Sequence, residues 1–224
     1  MTIPALTPRV AALMKKVHST RGRLIFALDA TASRGATWDI ATRLQVEMFE
    51  EAAKVGGLDV QLVYFRGDEL KASSWLSDAG ALITQMRDIR CIGGATQIER
   101  VLRHINAEHV CEKINAAIFI GDAVEELPIN LYRAASMNVP MFLFQEGDNS
   151  VIDVNSGIVS TTKVEDVFRQ LAAQTHGAYG KFNAGAANQL GELLRAVASF
   201  AVGGVAALAN QRTEGARLLL SQVK

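Results

Sequence analysis

The chain has 224 residues, of which 49% are hydrophobic and 21% are charged, values typical of a globular protein and not of a disordered one. Lysine plus arginine and aspartate plus glutamate balance at 23 each, so the charge gives no support for nucleic acid or an anionic membrane as the main partner. The apolar run at 197–208 is shorter than the roughly 20 residues that span a bilayer. The first residues lack the pattern of a signal peptide, and we therefore expect a cytoplasmic protein, bacterial in style.

Hydrophobic periodicity predicts alternating strands and helices along the chain. Short apolar runs predict strands at 24–28, 59–65, 70–74, 116–120, 140–145 and 178–182. Apolar residues at helical spacing predict helices at 8–17, 38–55, 75–87, 97–109, 128–137, 163–174 and 186–220, the last broken near Gly203 and Gly204. The two cysteines, Cys91 and Cys111, are too few for a disulfide framework, and we expect both to be buried as small apolar residues.

The order of these elements predicts an α/β fold with a doubly wound, mostly parallel sheet and helices on both faces. Residues 70–74 are expected to form one short antiparallel edge strand. We divide the chain into an N-terminal helical extension at 1–22, the α/β domain at 23–183, and a C-terminal helix at 184–224 that packs on or extends the domain.

Three polar clusters follow predicted strands or open a predicted helix. D-A-T-A-S supplies Asp29, Thr31 and Ser33, G-G-A-T supplies Thr96, and I-F-I-G-D-A supplies Asp122. Ligands of open α/β sheets bind outside the carboxyl ends of the strands, so we expect these side chains to meet. Two carboxylates and three hydroxyls are hard oxygen donors that suit Mg²⁺, with Mn²⁺ or Ca²⁺ as substitutes, and the absence of His and Cys disfavours zinc.

The order of these motifs resembles the von Willebrand factor A domain and its metal-ion-dependent adhesion site. That family has D-x-S-x-S after the first strand, a threonine in a glycine-containing loop and an aspartate after the fourth strand. The resemblance covers roughly residues 23–182, including L-A-A-Q-T-H-G-A-Y-G-K-F at 171–182. It implies a Rossmann-like fold and a metal site in which hydroxyls bind the ion directly and the acidic residues often act through waters. Thr31 stands where Ser is usual, as in the copine variant, and its added methyl group bears on the metal affinity.

The same residues also have simpler interpretations. Asp29, Ser33 and Thr96 could be helix caps, and Asp122 a turn residue. Glu125 and Glu126 follow Asp122, either beside the metal or as the solvated first turn of a helix, where acidic residues suit the helix dipole.

Two further features lie close to these motifs. Arg34 is either a contact for an acidic partner or a plain surface residue. The tripeptide Arg66-Gly67-Asp68 lies in a predicted turn, where Gly and Asp are expected for structural reasons.

A metal held mainly by neutral hydroxyls keeps much of its positive charge and can complete its shell with a carboxylate from another molecule. We therefore predict a protein-interaction module, not an enzyme, that binds a carboxylate of a protein partner in a cytoplasmic assembly. The oligomeric state stays open. No nucleophile elbow, phosphate-binding loop or dinucleotide fingerprint occurs in the sequence. Two alternatives remain: a Mg²⁺-dependent phosphohydrolase, and a structural subunit that assembles through its C-terminal helix with an incidental or empty metal site.

Overall fold

The computed structural model describes residues 21–147, 150–153, 158–183 and 186–223. The helix predicted at 8–17 lies outside these residues. The strands are β1 (Gly22–Asp29), β2 (Leu58–Arg66), β3 (Glu69–Ala72), β4 (Ala116–Gly121), β5 (Met141–Glu146), β6 (Ser150–Asp153), β7 (Ile158–Lys163) and β8 (Ala178–Phe182).

A six-stranded sheet in the order β3-β2-β1-β4-β5-β8 forms the centre of the fold. Strands β2, β1, β4, β5 and β8 are parallel, and β3 pairs antiparallel with the outer edge of β2. The interiors of the central strands β1 and β4 are apolar runs, as expected for strands that are covered by helices on both faces of the sheet. The predicted α/β fold with one short antiparallel edge strand is confirmed.

The helices are α1 (Gly35–Arg43), α2 (Gln45–Ala53), α3 (Ala79–Arg87), α4 (Ile98–Cys111), α5 (Pro128–Ala134), α6 (Val164–Gln174), α7 (Ala187–Ala209) and α8 (Glu214–Leu220). One core lies between the sheet and α1, α2, α3, α7 and α8. The other lies between the sheet and α4, α5 and α6. Successive side chains of β1 alternate between them: Phe26 enters the first core, and Ile25 and Ala27 enter the second.

The long helix predicted at 38–55 is two helices joined at Leu44. The Gln45 amide donates to the Ala41 carbonyl, and the Thr42 hydroxyl donates to the Trp38 carbonyl. Hydroxyl bonds of this kind, to the carbonyl four positions back, often bend helices. The helix predicted at 75–87 begins only at Ala79, because the segment before it pairs with the sheet: Leu76 bridges Val60 on β2.

Other predictions need smaller corrections. The helix predicted at 128–137 ends at Ala134, and the antiparallel pair β6–β7 was not predicted. Both cysteines are free, but Cys91 is only partly buried and Cys111 is exposed at the end of α4, so the prediction that both are buried is wrong.

The C-terminal helix α7 is longer than the apolar run in the sequence indicated. It is long and apolar enough to cross a membrane by length and composition, and half of its most apolar stretch is buried inside the fold. Leu193, Leu194 and Val197 pack in the same core as the central strands, which accounts for the apolar sequence. The predicted break is present at Gly204, whose φ of 64° lies in the left-handed region that favours glycine. The apolar stretch then continues as the separate helix α8.

Candidate functional site

All five residues predicted to hold a metal line one open cleft of about 230 Å³ at the carboxyl edge of the sheet. They are Asp29, Thr31, Ser33, Thr96 and Asp122. Asp29 ends β1, and Asp122 follows the last residue of β4, the strand that pairs beside β1. The parallel register of these two strands therefore brings both carboxylates to the same edge.

The chain turns sharply after β1 and presents Thr31 and Ser33 to the cleft. The Asp29 carboxylate accepts the backbone N–H of Thr31 at 2.7 Å, and the Thr31 side chain also hydrogen-bonds this carboxylate. A 3₁₀ turn at Ala32–Arg34 follows, with Ser33 exposed to solvent. Asp29 thus holds the turn and lines the cleft, but it is not at a helix-cap position: Thr31 precedes the 3₁₀ turn and Arg34 precedes α1.

Burial raises the pKa of Asp29 to about 6, because the carboxylate is almost fully removed from water. The hydrogen bonds from Thr31 act in the opposite direction, and the nearby negative charge of Asp122 adds to the rise. A buried carboxylate with an incompletely compensated charge has a strong tendency to take up either a proton or a cation.

Arg34 is buried beside the cleft and is not a surface residue; it contacts Asp122, which lines the cleft. Its guanidinium donates to Asp122 at 2.8 Å and forms a second ion pair with Glu146, the last residue of β5. The Thr37 hydroxyl also donates to Glu146. Arg34 therefore joins the ends of β4 and β5, and neither of the two positions weighed for it, a free contact or a plain surface residue, describes it.

Thr96 is held by both acidic residues that follow Asp122. Its hydroxyl accepts the Glu125 backbone N–H at 2.9 Å and donates to Glu126 at 3.1 Å, and its own N–H donates to the Glu125 carboxylate at 2.7 Å. A hydroxyl oxygen has two lone pairs, so one remains for a ligand in the cleft.

The same Glu126 carboxylate caps α4. It accepts the backbone N–H groups of Ile98 and Glu99 at 2.9 Å and 2.8 Å. The residue at the N-cap position is Gln97, without a side-chain cap bond, so the interpretation of Thr96 as an N-cap is wrong. Burial raises the pKa of Glu126, against the effect of these backbone hydrogen bonds. Glu125 and Glu126 fasten the loop after β4 to the loop before α4.

The glycine loop before Thr96 lies against the turn between β2 and β3. A side chain on Gly94 would collide with the Gly67 backbone at 2.5 Å, so only glycine permits this approach. The Gln97 amide donates to the Gly67 carbonyl at 2.8 Å, and Arg100 donates to the Asp68 carbonyl at 2.9 Å. The Arg66-Gly67-Asp68 tripeptide therefore lies in a turn, as predicted, and supports the cleft from behind.

The donors of the cleft fit a hard divalent cation. Asp29 and Asp122 supply two carboxylates, and Thr31, Ser33 and Thr96 supply hydroxyls, which are oxygen ligands of the kind that Mg²⁺ prefers. Within the described ranges, no group of three or more His, Cys, Asp or Glu side chains has the arrangement of a metal site. A metal in this cleft would therefore depend on its hydroxyl ligands and on water.

Sequence reasoning missed three features of the candidate site: the buried position of Arg34, the carboxylate of Glu146 and the capping role of Glu126. Glu146 carried a usable signal, because it ends a buried strand as Asp29 does. The position of Glu126 carried none, because its partners on α4 lie 27 and 28 residues earlier in the chain.

No family model and no curated protein matches the chain. Solved structures do match. A von Willebrand factor type A structure from Catenulispora acidiphila has a TM-score of 0.61 at 14% identity, covering 82% of this chain and 43% of that one. The SpRpn10 VWA domain has a TM-score of 0.54 at 11% identity, and the match covers 74% of this chain and 90% of that domain. An aerotolerance-related membrane protein from Bacteroides fragilis has a TM-score of 0.54 at 15% identity, and the match covers 77% of this chain and 96% of that one. The chain has the fold of von Willebrand factor A domains.

Proposed function

We propose that this protein is an interaction module whose cleft binds a divalent metal, Mg²⁺ in the first place, and that the metal accepts a carboxylate from a protein partner. Asp29, Thr31, Ser33, Thr96 and Asp122 would hold the ion. The observation that carries this proposal is the convergence of these five oxygen donors, from three separate segments of the chain, on one open cleft. When bound, the metal supplies a Lewis-acidic position for an incoming carboxylate oxygen.

The residues around the proposed ligands orient the donor groups in the metal-free protein. The turn anchored on Asp29 orients Thr31, and the paired contacts of Glu125 and Glu126 fix the Thr96 hydroxyl toward the cleft. Preorganised donors lose less conformational entropy when an ion binds. The open mouth of the cleft leaves room for a partner's side chain.

The phosphohydrolase alternative receives less support. It needs a basic group for the phosphate, and Arg34 was the candidate beside these motifs. Its guanidinium is engaged with Asp122 and Glu146 within the protein. Thr31 also occupies the position, two residues after Asp29, where a phosphoaspartate hydrolase would use a second aspartate.

We keep a cytoplasmic multiprotein assembly as the proposed setting. Half of the most apolar stretch of α7 is buried, in the same core as the sheet, which favours a role in the core over assembly through this helix. A few apolar side chains near its end, Val205 among them, are exposed. Deletion of 185–224 would remove part of the core, so it cannot serve as a clean test of assembly.

The test is capture of a partner from a lysate of the source cells by the immobilised full chain, with Mg²⁺ or with EDTA. The wild-type protein and Asp29→Ala are compared, with Arg23→Met, at the other end of β1, as the control. We expect one discrete partner that is retained only by wild-type and Arg23→Met, and only with Mg²⁺. Equal recovery with EDTA, or by Asp29→Ala, would reject a metal-dependent contact.

A further inference from the structure

We propose that Arg34 is a resident cation that lowers the metal affinity of the cleft: it holds Asp122 in an ion pair that a divalent ion must share or break. The inference rests on the proposed function, because it concerns the same site. It goes beyond that function by assigning the site a regulator within the chain. The residue is not one of the metal-binding donors.

The geometry gives Arg34 a fixed position. Its backbone N–H donates to the Thr31 carbonyl at 3.0 Å, which places the residue directly behind the predicted ligands of the first motif. Its side chain is 10% exposed, and those of Asp122 and Glu146 are 13% and 6% exposed. All three charges are therefore largely shielded from water. Ion pairs shielded in this way are stronger and less affected by salt than exposed ones.

The ion pair opposes metal binding in two ways. The positive guanidinium contacts Asp122 at 2.8 Å and so lies next to the position that a divalent cation would take. It also competes for the carboxylate itself, since each acceptor lone pair used by Arg34 is withdrawn from the metal. Removal of this charge should therefore strengthen metal binding.

Glu146 determines how freely Arg34 can release Asp122. It holds the guanidinium from the side of β5 and is itself fixed by the Thr37 hydroxyl. With Glu146 present, Arg34 keeps a carboxylate partner when Asp122 turns to the metal. With Glu146 neutralised, Asp122 is the remaining carboxylate partner of the Arg34 guanidinium within the part of the chain that the structure describes, and the metal must break a tighter pair. Glu146 is thus a positioning residue that acts through Arg34.

This arrangement predicts opposite effects for two partners in one ion pair. Arg34→Met should bind the metal about tenfold more tightly, because a neighbouring positive charge is lost. Glu146→Gln should bind the metal about threefold more weakly, because Arg34 no longer shares its charge with Glu146 and pairs more tightly with Asp122. A purely structural role for the pair predicts the same sign for both variants, since either would disturb the cleft.

The experiment is calorimetric titration of the purified full chain with MnCl₂ and, separately, MgCl₂. Arg34→Lys keeps the charge and should stay within about threefold of wild type. Arg23→Met removes a similarly shielded arginine at the far end of β1 and should leave the affinity unchanged. If Arg34→Met does not fold, Arg34→Met combined with Glu146→Gln removes both charges. It should bind about tenfold more tightly than Glu146→Gln alone.

The possible outcomes separate this inference from the proposed function. If wild type binds the metal and Arg34→Met binds it equally or more weakly, the role of Arg34 is overturned and the proposed function stays intact. Binding by Arg34→Met alone supports the role of Arg34 and contradicts a metal-dependent function of the wild-type protein. Absence of binding in every variant overturns both.

Discussion

Two arginines at opposite ends of β1 differ in what surrounds their charges. Arg23, at the amino end, is 14% exposed, stacks on the Trp75 ring at 3.9 Å and pairs with Glu112, which is 71% exposed. Arg34, just beyond the carboxyl end, pairs with Asp122 and Glu146, which are both buried. The first ion pair therefore has one partner on the surface, and the second is buried beside the cleft that Asp122 lines.

The two ion pairs need different explanations. A pair with one exposed partner contributes little to stability, and its aromatic contact accounts for its position. A buried ion pair is often no more stabilising than apolar residues of the same volume, so stability alone does not account for it. Buried charges with perturbed pKa values concentrate at functional sites, and the carboxyl edge of this sheet has both features.

The largest expected effect comes from breaking the buried pair. Arg34→Met should lower the free energy of unfolding of the metal-free protein by about 3 kcal/mol, because two carboxylates then remain buried without their cation. Urea denaturation in EDTA measures this value. Arg23→Met provides the matched change, with a loss of about 1 kcal/mol or less. Equal losses for the two variants would remove the distinction between the two ends of β1.

The next effect concerns Asp29 and has the opposite sign. Its pKa in the folded protein is about 6, above the ordinary value of 3.8, so the folded state binds its proton more tightly than the unfolded state does. The resulting stability is fully present below pH 3.8 and is lost as the pH rises through about 6. Asp29→Asn is neutral at every pH and should therefore be more stable than the metal-free wild type at pH 8, by up to about 3 kcal/mol.

Urea denaturation from pH 4 to pH 8 in EDTA tests this sign. The stability difference between Asp29→Asn and wild type should shrink toward zero as the pH falls to 4. A variant that is less stable than wild type at pH 8 would mean that the ionised carboxylate is well compensated without a metal.

A smaller effect is expected where the site loop holds α4. Glu126→Gln keeps one acceptor oxygen but cannot accept both helix N–H groups, and should lower stability by about 1 kcal/mol. Glu99→Gln is the matched control in the first turn of α4, where the carboxylate pairs with the exposed Arg103. Its effect should be about 0.3 kcal/mol. Thermal denaturation of both variants checks the difference, and equal shifts would refute the capping role.

The smallest effect is expected at Thr31. Thr31→Ser keeps the hydroxyl and restores the usual motif, so the Mn²⁺ affinity should change by less than about threefold. Calorimetric titration measures it. A larger gain would indicate that the Thr31 methyl group crowds the ion.

The positions of the predicted ligands followed from sequence because they depend on strand ends. The apolar runs of β1 and β4 show where each strand stops, and parallel pairing then brings Asp29 and Asp122 to one edge. The surroundings did not follow, because they depend on contacts between distant segments. Glu126 caps a helix whose sequence precedes it, and the buried Arg34 pairs with Asp122 after β4 and with Glu146 at the end of β5.

The predicted limits of two helices were wrong because they depend on hydrogen bonds and strand pairing that the apolar pattern does not show. The pattern at 38–55 is continuous, but the helix divides at Leu44, close to the Thr42 side-chain bond to the Trp38 carbonyl. The segment before α3 has helical spacing, yet Leu76 pairs with Val60 on β2. Neither of these hydrogen-bonded contacts can be read from the apolar periodicity.

The most direct test of the central claim is a crystal structure of the full chain grown with Mg²⁺ and then soaked in Mn²⁺. The proposed site predicts an anomalous peak between Asp29, Ser33, Thr96 and Asp122. In the Mg²⁺ crystal it predicts about six oxygen ligands at roughly 2.0–2.1 Å. A cleft without a peak at saturating Mn²⁺, or a peak bound elsewhere, would contradict the metal site.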